Sequence, residues 1–321
     1  MSSRPFVVVL GATPDDAPPG IDRASADVEL RFVPDGKVLP AALRGASGLF
    51  FWRAERAWLE SAWPEAGGLR WVQAASDGVD GLLFPELVAS GVHVTNSRGV
   101  FDDAIAEWVI GAILAFTTGI LVQRDAQQTR EWAYASKGRA AGARLVVVGP
   151  GPIGRATAVR ARALGMRVGA VGRSARDDDT FGRISTDLYP SLAGADYVLD
   201  ALPLTSHTRH HFDARAFAVM RQTARFINVG RGSTVDEPAL IRALSDGDIA
   251  GAALDVFETE PLPADSPLWS MPQVLVSPHM GGDFDGWESA VVDVFVENCA
   301  RFARGEPLRN QVDKADGFGV G

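Results

Sequence analysis

A glycine-rich turn at residues 149–154, GPGPIG, joins a predicted buried strand to a predicted helix. The apolar run Leu145–Val148 is typical of a parallel strand, and the pattern after the turn indicates a helix that ends just before Gly165. In this G-x-G-x-x-G spacing the first two glycines allow close approach to a pyrophosphate, the third lets the helix pack on the strand, and the helix N-terminus offers N–H groups to the anion. This order of strand, glycine turn and helix predicts a dinucleotide site. The alternative is an ordinary strand-to-helix turn. The residues expected to contact the cofactor are Gly149, Gly151, Pro152, Ile153 and Gly154.

The residues after the next predicted strand, Val168–Val171, indicate which dinucleotide binds. An NAD site normally has Asp or Glu about 20 residues after the glycines, where it holds the ribose hydroxyls. This chain has no acid there, and its polar residues are Arg173, Ser174 and Arg176. A guanidinium binds a 2′-phosphate that an acid would repel, so these residues predict NADPH or NADP, with NADH disfavoured. The alternative is that both arginines are solvated loop charges, as we expect of the aspartates at 177–179.

Length and charge limit the classes of function. A chain of 321 residues is long enough for two domains, and its net charge of -9 argues against nucleic acid or an anionic membrane as the main partner. The longest apolar stretch, Trp108–Val122, is shorter than the roughly 20 residues that a membrane span needs. The one cysteine, Cys299, cannot form an internal disulfide, which favours a reducing compartment and predicts a cytoplasmic protein.

The first hundred residues predict a small α/β domain. Its strands are expected at Phe6–Leu10, Val28–Val33, Gly48–Trp52, Arg70–Ala74 and Val92–Thr95. Asp102 or Asp103 is expected to cap a helix whose apolar residues form a single stripe. From Leu145 to Pro278 strands and helices alternate, which predicts a parallel sheet covered on both faces. A last helix is expected at Trp287–Ala303, followed by a polar tail that is loosely held unless it docks on a partner.

Three polar residues follow apolar runs in the second half of the chain, where the carboxyl ends of parallel strands carry chemistry. Arg231 offers a planar cationic fork for a carboxylate and a neighbouring carbonyl, and His279 can give a proton near neutral pH. Glu260 beside the imidazole would favour its protonated form and orient it. These three residues could serve the reduction of a 2-oxoacid by hydride. Taken singly, each is also explained by a turn, a solvated loop acid or a structural histidine.

The segment from Ala201 to His279 resembles the D-2-hydroxyacid dehydrogenase family (D-isomer specific). The resemblance lies in ALPLTSHTRHHFD, MRQTARFINVGRGSTVDEPALIRAL, GDIAGAALDVFETEPLPADSPLW and VLVSPHMGG, together with GPGPIG. It implies two Rossmann-like domains with doubly wound parallel sheets and an interdomain active-site cleft. Residues 1–100 with 284–321 would form the substrate-binding domain and residues 101–283 the dinucleotide-binding domain. The family's catalytic positions fall on Arg231, Glu260 and His279, and further cofactor contacts are expected at Leu202, Pro203 and Asp255.

Within the family the chain is most similar to the glyoxylate/hydroxypyruvate reductases, on the spacing of EPLP to PHM and the ending QVDKADGFG. This resemblance implies NADPH-dependent, reversible reduction of small 2-oxoacids to (R)-2-hydroxyacids by a homodimer. The residues expected to contact the substrate are Trp52, Ser76, Asp77, Gly78, Arg231 and His279. Asp77 departs from the pattern, because it puts a negative charge in the loop that should receive the substrate's carboxylate. Gly99, Val100 and Phe101 also differ from the family's hinge.

Two other functions remain open at this stage. One is a dinucleotide-sensing, corepressor-like binding protein, and the other is a dehydrogenase of a different small anion for which Asp77 would select. His207, His210 and His211 have no carboxylate or thiol at ligand spacing, so no metal site is expected.

Overall fold

The computed structural model describes residues 4–315 and 318–319. The chain divides into two compact units, residues 1–101 with 284–321 (unit 1) and residues 102–283 (unit 2). The strands are β1 Phe6–Leu10, β2 Glu29–Val33, β3 Gly48–Phe51, β4 Trp71–Ala74, β5 His93–Thr95, β6 Arg144–Val148, β7 Arg167–Val171, β8 Arg176–Asp178, β9 Gly182–Ser185, β10 Tyr197–Asp200, β11 Arg225–Asn228, β12 Gly251–Leu254, β13 Val274–Val276, β14 Val312–Asp313 and β15 Phe318–Gly319. The helices are α1 Leu39–Leu43, α2 Arg56–Ala62, α3 Pro85–Ala89, α4 Asp102–Thr118, α5 Ile120–Thr129, α6 Pro152–Ala163, α7 Leu188–Leu192, α8 Ala214–Ala218, α9 Glu237–Asp246 and α10 Trp287–Arg304. Short 3-10 helices lie at Ile21–Ala26, Trp63–Glu65, Gly232–Thr234 and Pro267–Ser270.

Unit 1 is built on a parallel sheet with the strand order β2-β1-β3-β4-β5. The predicted strands are confirmed to within a residue at each end. Alternate residues of β1 pack on opposite faces: Val8 and Leu10 contact the cluster that includes α1 and α2, and Val7 and Val9 contact the cluster that includes α10. Because helices cover both faces, the inner strands β1 and β3 are almost continuously apolar.

The last helix, α10, is held to the unit 1 sheet by stacked rings and by a buried amide network. Phe295 stacks on Phe50 with ring centroids 4.2 Å apart. Asn298 Nδ2 donates to Gln73 Oε1 at 2.8 Å, and Asn298 Oδ1 accepts the Arg309 amide at 2.7 Å. Gln73 Oε1 also accepts the Thr95 hydroxyl at 2.7 Å. This network attaches both the helix and the chain beyond it to β4 and β5.

The expectation of a loosely held tail is wrong for residues 306–315. Lys314 Nζ donates to the carbonyls of Leu87, Ser90 and Val92 at 2.6–3.0 Å, and Val312 is buried. These carbonyls lie at and beyond the end of α3, where orphan acceptors attract a cation. Composition did not reveal this docking, because the partners lie more than 200 residues away in the sequence.

Unit 2 contains an eight-stranded sheet in the order β13-β12-β11-β10-β6-β7-β9-β8. All neighbours are parallel except β8 and β9, which form an antiparallel pair at the edge. The chain proceeds from β6 to β7 on one side and returns to β10 on the other, so the strand order reverses between β6 and β10. In open α/β sheets ligands bind at such a switch point, outside the carboxyl ends of the strands.

The expectation of a solvated loop at the aspartates 177–179 is wrong for Asp178. Asp178 ends β8, and its side chain is only 7% exposed because it forms a two-pronged ion pair with Arg155 of α6. Its Oδ1 also accepts the amides of Thr180 and Phe181 at 2.9 and 3.2 Å. The hydrogen bond from Arg155, followed by those two amides, lowers the pKa of Asp178 to about 2, although burial opposes the shift.

The single apolar stripe predicted for α4 is confirmed, since Val109, Ala112 and Ile113 are buried in the unit 2 core and α4 packs against α6. Asp102 and Asp103 lie inside its first turn rather than at the cap, where their charges still favour the positive end of the helix dipole. Among the described residues no single helix is long and apolar enough to cross a membrane. The neighbours α4 and α5 pass that test only when joined, and they are bent by 62°.

We expect Asn298→Ala to lower the free energy of unfolding by about 1–3 kcal/mol, because it removes the side-chain acceptor of the Arg309 amide and a donor to the buried Gln73. Chemical denaturation measures this change. Ser289→Ala, on the exposed face of the same helix, is the matched control and should stay within about 0.5 kcal/mol of the wild type. Equal effects of the two substitutions would show that the network does not stabilise the fold.

Candidate active site

The glycine turn at residues 149–154 has the geometry that its spacing predicts. Gly149 has a φ of +96°, and a Cβ there would lie 2.6 Å from the Ala201 carbonyl oxygen. A Cβ on Gly154 would lie 2.5 Å from the Gly149 carbonyl oxygen, so this glycine permits the close packing of α6 on β6. At Gly151 a Cβ would meet no described atom within 4 Å, which leaves space beside the N-terminus of α6. The turn can therefore receive an anion at that helix end, where N–H groups lack acceptors within the helix.

The loop after β7 lies against this turn. A Cβ on Gly172 would lie 3.1 Å from Pro150 Cγ, and the three polar residues that follow, Arg173, Ser174 and Arg176, are exposed. Arg176 Nη1 donates to Ser174 Oγ at 3.2 Å, which brings a hydroxyl and a guanidinium together. The Arg155–Asp178 ion pair connects α6 to the strand β8 that carries Arg176. Charge and hydroxyl groups at this position fit the 2′-phosphate of NADP.

His279 and Glu260 form the central pair of the candidate site. His279 Nδ1 and Glu260 Oε2 are 2.7 Å apart, and Glu260 Oε1 accepts the Phe257 amide at 2.9 Å. With Nδ1 engaged by the carboxylate, Nε2 is the ring nitrogen that remains for a reaction partner. The His279 side chain is 48% exposed, so the ring is accessible.

The hydrogen bond to Glu260 raises the pKa of His279 above its ordinary value, although burial and the charge of Arg231 oppose the shift. Burial would raise the pKa of Glu260, but hydrogen bonds from His279 and the Phe257 amide outweigh it, and the Glu260 pKa lies below its usual range. Both directions favour an imidazolium beside a carboxylate. Arg231 acts electrostatically on both groups, so the three residues predicted from the sequence share one electrostatic environment.

Asp255 has a role in this site that the sequence did not predict. Its buried carboxylate accepts the Ser277 hydroxyl at 2.6 Å and the amides of Met280 and Gly281 at 3.0 and 2.9 Å. These donors lie on both sides of His279, whose φ of 54° is in the left-handed region. The carboxylate therefore stabilises a backbone conformation that a non-glycine residue rarely adopts. A cofactor contact of Asp255 stays a prediction.

The backbone of Arg231 is also fixed by hydrogen bonds. Its carbonyl oxygen accepts Asn228 Nδ2 at 3.1 Å and the Thr234 hydroxyl at 2.6 Å. Thr234 in turn contacts Asp200, a fully buried acid at the end of β10. Asp200 directly follows an apolar run, which is the pattern that predicted Arg231, Glu260 and His279, but Asp200 was not predicted from the sequence. The Leu202 amide donates to Asp200 Oδ1 at 3.0 Å, and Pro203 beyond it is exposed.

The predicted substrate contacts of unit 1 have neighbours within that unit. Trp52 is 7% exposed and packs on Trp287, with ring centroids 5.8 Å apart. Ser76 Oγ donates to the Gly78 carbonyl at 2.7 Å, which shapes the turn. Asp77 accepts Asn96 Nδ2 through both its carbonyl, at 2.6 Å, and its carboxylate, at 3.3 Å. The negative charge of Asp77 is thus directed toward Asn96.

Of the clustered histidines, His210 pairs with a glutamate and His211 is half-buried. His210 Nε2 contacts Glu258 Oε1 at 2.5 Å, and burial lowers the pKa of His211. Within residues 4–315 and 318–319, no group of three or more His, Cys, Asp or Glu side chains is placed to hold a metal ion.

Comparison with known proteins connects this site to one family. Residues 110–281 match the family described as D-isomer specific 2-hydroxyacid dehydrogenase, NAD binding domain. A glyoxylate reductase of Thermococcus kodakarensis is 31% identical over 97% of this chain and 97% of its own length. The crystal structure of a D-isomer specific 2-hydroxyacid dehydrogenase from Xanthobacter autotrophicus, in complex with NADPH and MES, is 31% identical with a TM-score of 0.82, over 99% of this chain and all of that one. The structure of an NADPH-dependent glyoxylate/hydroxypyruvate reductase from Sinorhizobium meliloti, with NADP and malonate, is 28% identical with a TM-score of 0.83, over 99% of both chains.

We expect Glu260→Gln to lower the pKa of His279, because the amide keeps a hydrogen-bond partner but removes the charge that stabilises the imidazolium. NMR titration of the imidazole measures this shift directly. Glu258→Gln removes a charge of the same kind two residues earlier, where the carboxylate contacts His210 instead. A His279 pKa that is unchanged in Glu260→Gln, or lowered equally by both variants, would contradict the pairing.

Proposed function

Because the chain belongs to the D-isomer specific 2-hydroxyacid dehydrogenase family, we propose that it is an NADPH-dependent reductase of small 2-oxoacids of the glyoxylate and hydroxypyruvate type. The products would be (R)-2-hydroxyacids, and the reaction would be reversible. The observation that carries the proposal is the 2.7 Å pair of His279 and Glu260, with the charge of Arg231 acting on both. The substrate class is supported by similar proteins that are named glyoxylate reductase and glyoxylate/hydroxypyruvate reductase.

Each catalytic residue has a chemical task in this proposal. Bound NADPH supplies the hydride that reduces the keto carbon. The Nε2–H of the His279 imidazolium donates a proton to the carbonyl oxygen as negative charge develops there, and solvent later returns that proton. Glu260 keeps the ring oriented and protonated. Arg231 binds the substrate's carboxylate and its keto oxygen through two N–H groups, which orients the carbonyl and stabilises the alkoxide.

The choice of NADPH is supported by the loop after β7. It carries Arg173, Ser174 and Arg176 where an NAD site has an acid, and Arg176 already contacts Ser174. Two similar proteins were crystallised with NADPH or NADP. We propose that this loop binds the 2′-phosphate and that Gly149, Gly151, Pro152, Ile153 and Gly154 bind the pyrophosphate, with Leu202, Pro203 and Asp255 as further cofactor contacts.

The remaining sequence predictions are also part of the proposal. Trp52, Ser76, Asp77 and Gly78 stay predicted substrate contacts, and the cytoplasm stays the predicted compartment. A homodimer is supported by an exposed apolar surface on unit 2. Helix α5 buries none of its residues, and Ile120, Val122, Trp132 and Tyr134 are 53–99% exposed. Surfaces of this kind mark interfaces, so we propose that a second copy of the chain covers it.

We expect the wild-type protein to oxidise NADPH rapidly with glyoxylate and hydroxypyruvate, and His279→Ala to lose about 10²–10⁴ of that turnover, because it removes the general acid. NADPH binding by His279→Ala, measured by calorimetry, should stay close to wild type. His210→Ala is the matched control, since that histidine pairs with Glu258 rather than Glu260. An NADPH-binding wild type that reduces no 2-oxoacid would refute the proposed activity, and equal losses in both variants would refute the role of His279.

We expect Arg173→Ala to raise the KM for NADPH by at least about ten-fold and to change the KM for NADH little, because only NADPH carries the 2′-phosphate. Steady-state kinetics with each cofactor measures the two effects. Arg183→Ala, an exposed arginine on β9, controls for a general loss of positive charge. Equal weakening of both cofactors by Arg173→Ala would argue against the phosphate contact.

A further inference from the structure

Asp200 is a buried acid that the proposed reaction does not use. It ends β10 and is 0% exposed. In the parallel register its neighbours are Val148, at the end of β6 just before the glycine turn, and Asn228, at the end of β11 just before the Arg231 turn. It therefore lies at the switch point of the sheet, between the predicted cofactor contacts and the predicted substrate contact of unit 2.

The hydrogen bonds around Thr234 contain one proton too few if Asp200 is ionised. The Thr234 hydroxyl oxygen is 2.5 Å from Asp200 Oδ2 and 2.6 Å from the Arg231 carbonyl oxygen, both of which are hydrogen-bond distances. A hydroxyl has a single proton to donate, while a carboxylate and a carbonyl only accept. With Asp200 ionised, one of these contacts would bring two oxygens together without a proton. A protonated Asp200 removes the conflict, because it donates to Thr234 and Thr234 donates to Arg231.

The same chain of hydrogen bonds reaches two parts of the site. Asp200 Oδ1 accepts the Leu202 amide at 3.0 Å, so the acid also fixes the segment with the predicted cofactor contacts Leu202 and Pro203. The Arg231 carbonyl additionally accepts Asn228 Nδ2 and the Thr234 amide, both at 3.1 Å. The carboxyl group thus joins the backbone at Leu202 to the backbone at Arg231.

We propose that Asp200 is a positioning residue that keeps its proton in the active protein and, through Thr234, fixes the backbone from which Arg231 binds the substrate. Its effect on turnover rests on the proposed function. Its protonation is independent of that function, because it follows from the hydrogen bonds alone.

The surroundings of Asp200 agree with a protonated state near neutral pH. Burial raises the pKa of Asp200 to about 7, although its hydrogen bonds with Thr234 and with the Leu202 amide oppose the shift. Val148 and Asn228, its neighbours on β6 and β11, do not titrate, and the nearest elements beyond them carry Arg231 in the adjoining turn and Asp255 after β12. Because this pKa is higher in the folded than in the unfolded chain, the protonated acid favours folding fully below the unfolded pKa of about 4, and that contribution is lost as pH rises to about 7.

Thermal unfolding of Asp200→Asn across pH tests the protonation without any substrate. The amide can donate to Thr234 and accept from Leu202, so it mimics the protonated acid at every pH. We expect the two proteins to have similar Tm values below about pH 4, where Asp200 is protonated in both the folded and the unfolded chain, and the variant to have the higher Tm near about pH 8.5. Groups that titrate elsewhere in the chain affect both proteins equally, so they cancel in the difference between the two Tm values. A Tm difference that does not change with pH, or a variant whose Tm falls below wild type as pH rises, would overturn the protonated assignment.

Kinetics test the positioning. Because His279 titrates in both proteins, its effect cancels in the ratio of kcat/KM for glyoxylate in Asp200→Asn to kcat/KM in wild type. We expect this ratio to rise by about 3- to 10-fold from about pH 6 to about pH 8.5, as wild type loses the Asp200 proton. Thr234→Val should lower kcat/KM for glyoxylate by about ten-fold with little change in the KM for NADPH, and Thr234→Ser should restore it. Ser233→Ala, in the same turn, is the control and should resemble wild type.

The outcomes separate the two proposals. A flat ratio across pH, or equal activity of Thr234→Val and wild type, would overturn the positioning role. A wild-type protein that reduces no 2-oxoacid would refute the proposed function, and the Tm comparison would still decide whether Asp200 carries a proton.

Discussion

The parallel pairing of the central strands in unit 2 places the carboxyl ends of β6, β10, β11, β12 and β13 at one edge of the sheet. Every polar group of the candidate site in this unit follows one of these ends: the glycine turn, Asp200, Arg231, Asp255 and His279. Residues far apart in sequence therefore lie along one edge of the sheet, and the reversal of strand order between β6 and β10 leaves room for a ligand there. Without the parallel register, the same residues would be distributed over two edges.

Carboxylates of unit 2 differ in protonation because their surroundings differ. Asp178 has a guanidinium and two amides as partners, and its pKa is about 2. Glu260 has an imidazole and one amide as partners, and its pKa is lowered. Asp200 is fully buried, its hydrogen-bond partners are the Thr234 hydroxyl and the Leu202 amide, and its pKa is about 7. Burial penalises the charged form in each case, so the number of donors and cations decides the result. This is why one fold can combine an anchoring ion pair, an orienting carboxylate and a neutral acid.

The positions that hold functional residues are themselves held by polar contacts from other elements. Asp255 supports the left-handed backbone of His279, the Asp200–Thr234 contact supports the backbone of Arg231, and the Arg155–Asp178 pair connects α6 to β8. Polar contacts between distant segments also stabilise unit 1, where Asn298 and Lys314 attach α10 and the following chain to the rest of the unit. Such buried networks stabilise one arrangement because each unmade hydrogen bond would cost free energy.

The alternation of apolar runs with helical patterns determined the α/β class, the predicted strands of unit 1 and the strand, turn and helix around GPGPIG, because these depend on contacts between residues close in sequence. The same local logic identified Arg231, Glu260 and His279, since each follows an apolar run. Only the tertiary structure decided the docking of residues 306–315, the burial of Asp178 and the structural role of Asp255. It also decided the partners of Asp200. The physical reason is that burial and hydrogen-bond partners come from distant segments: the charge that makes Asp178 a surface residue in the sequence becomes half of an ion pair only when Arg155 is brought beside it. A one-dimensional pattern records which side chains are polar, but the fold determines which of them remain in water.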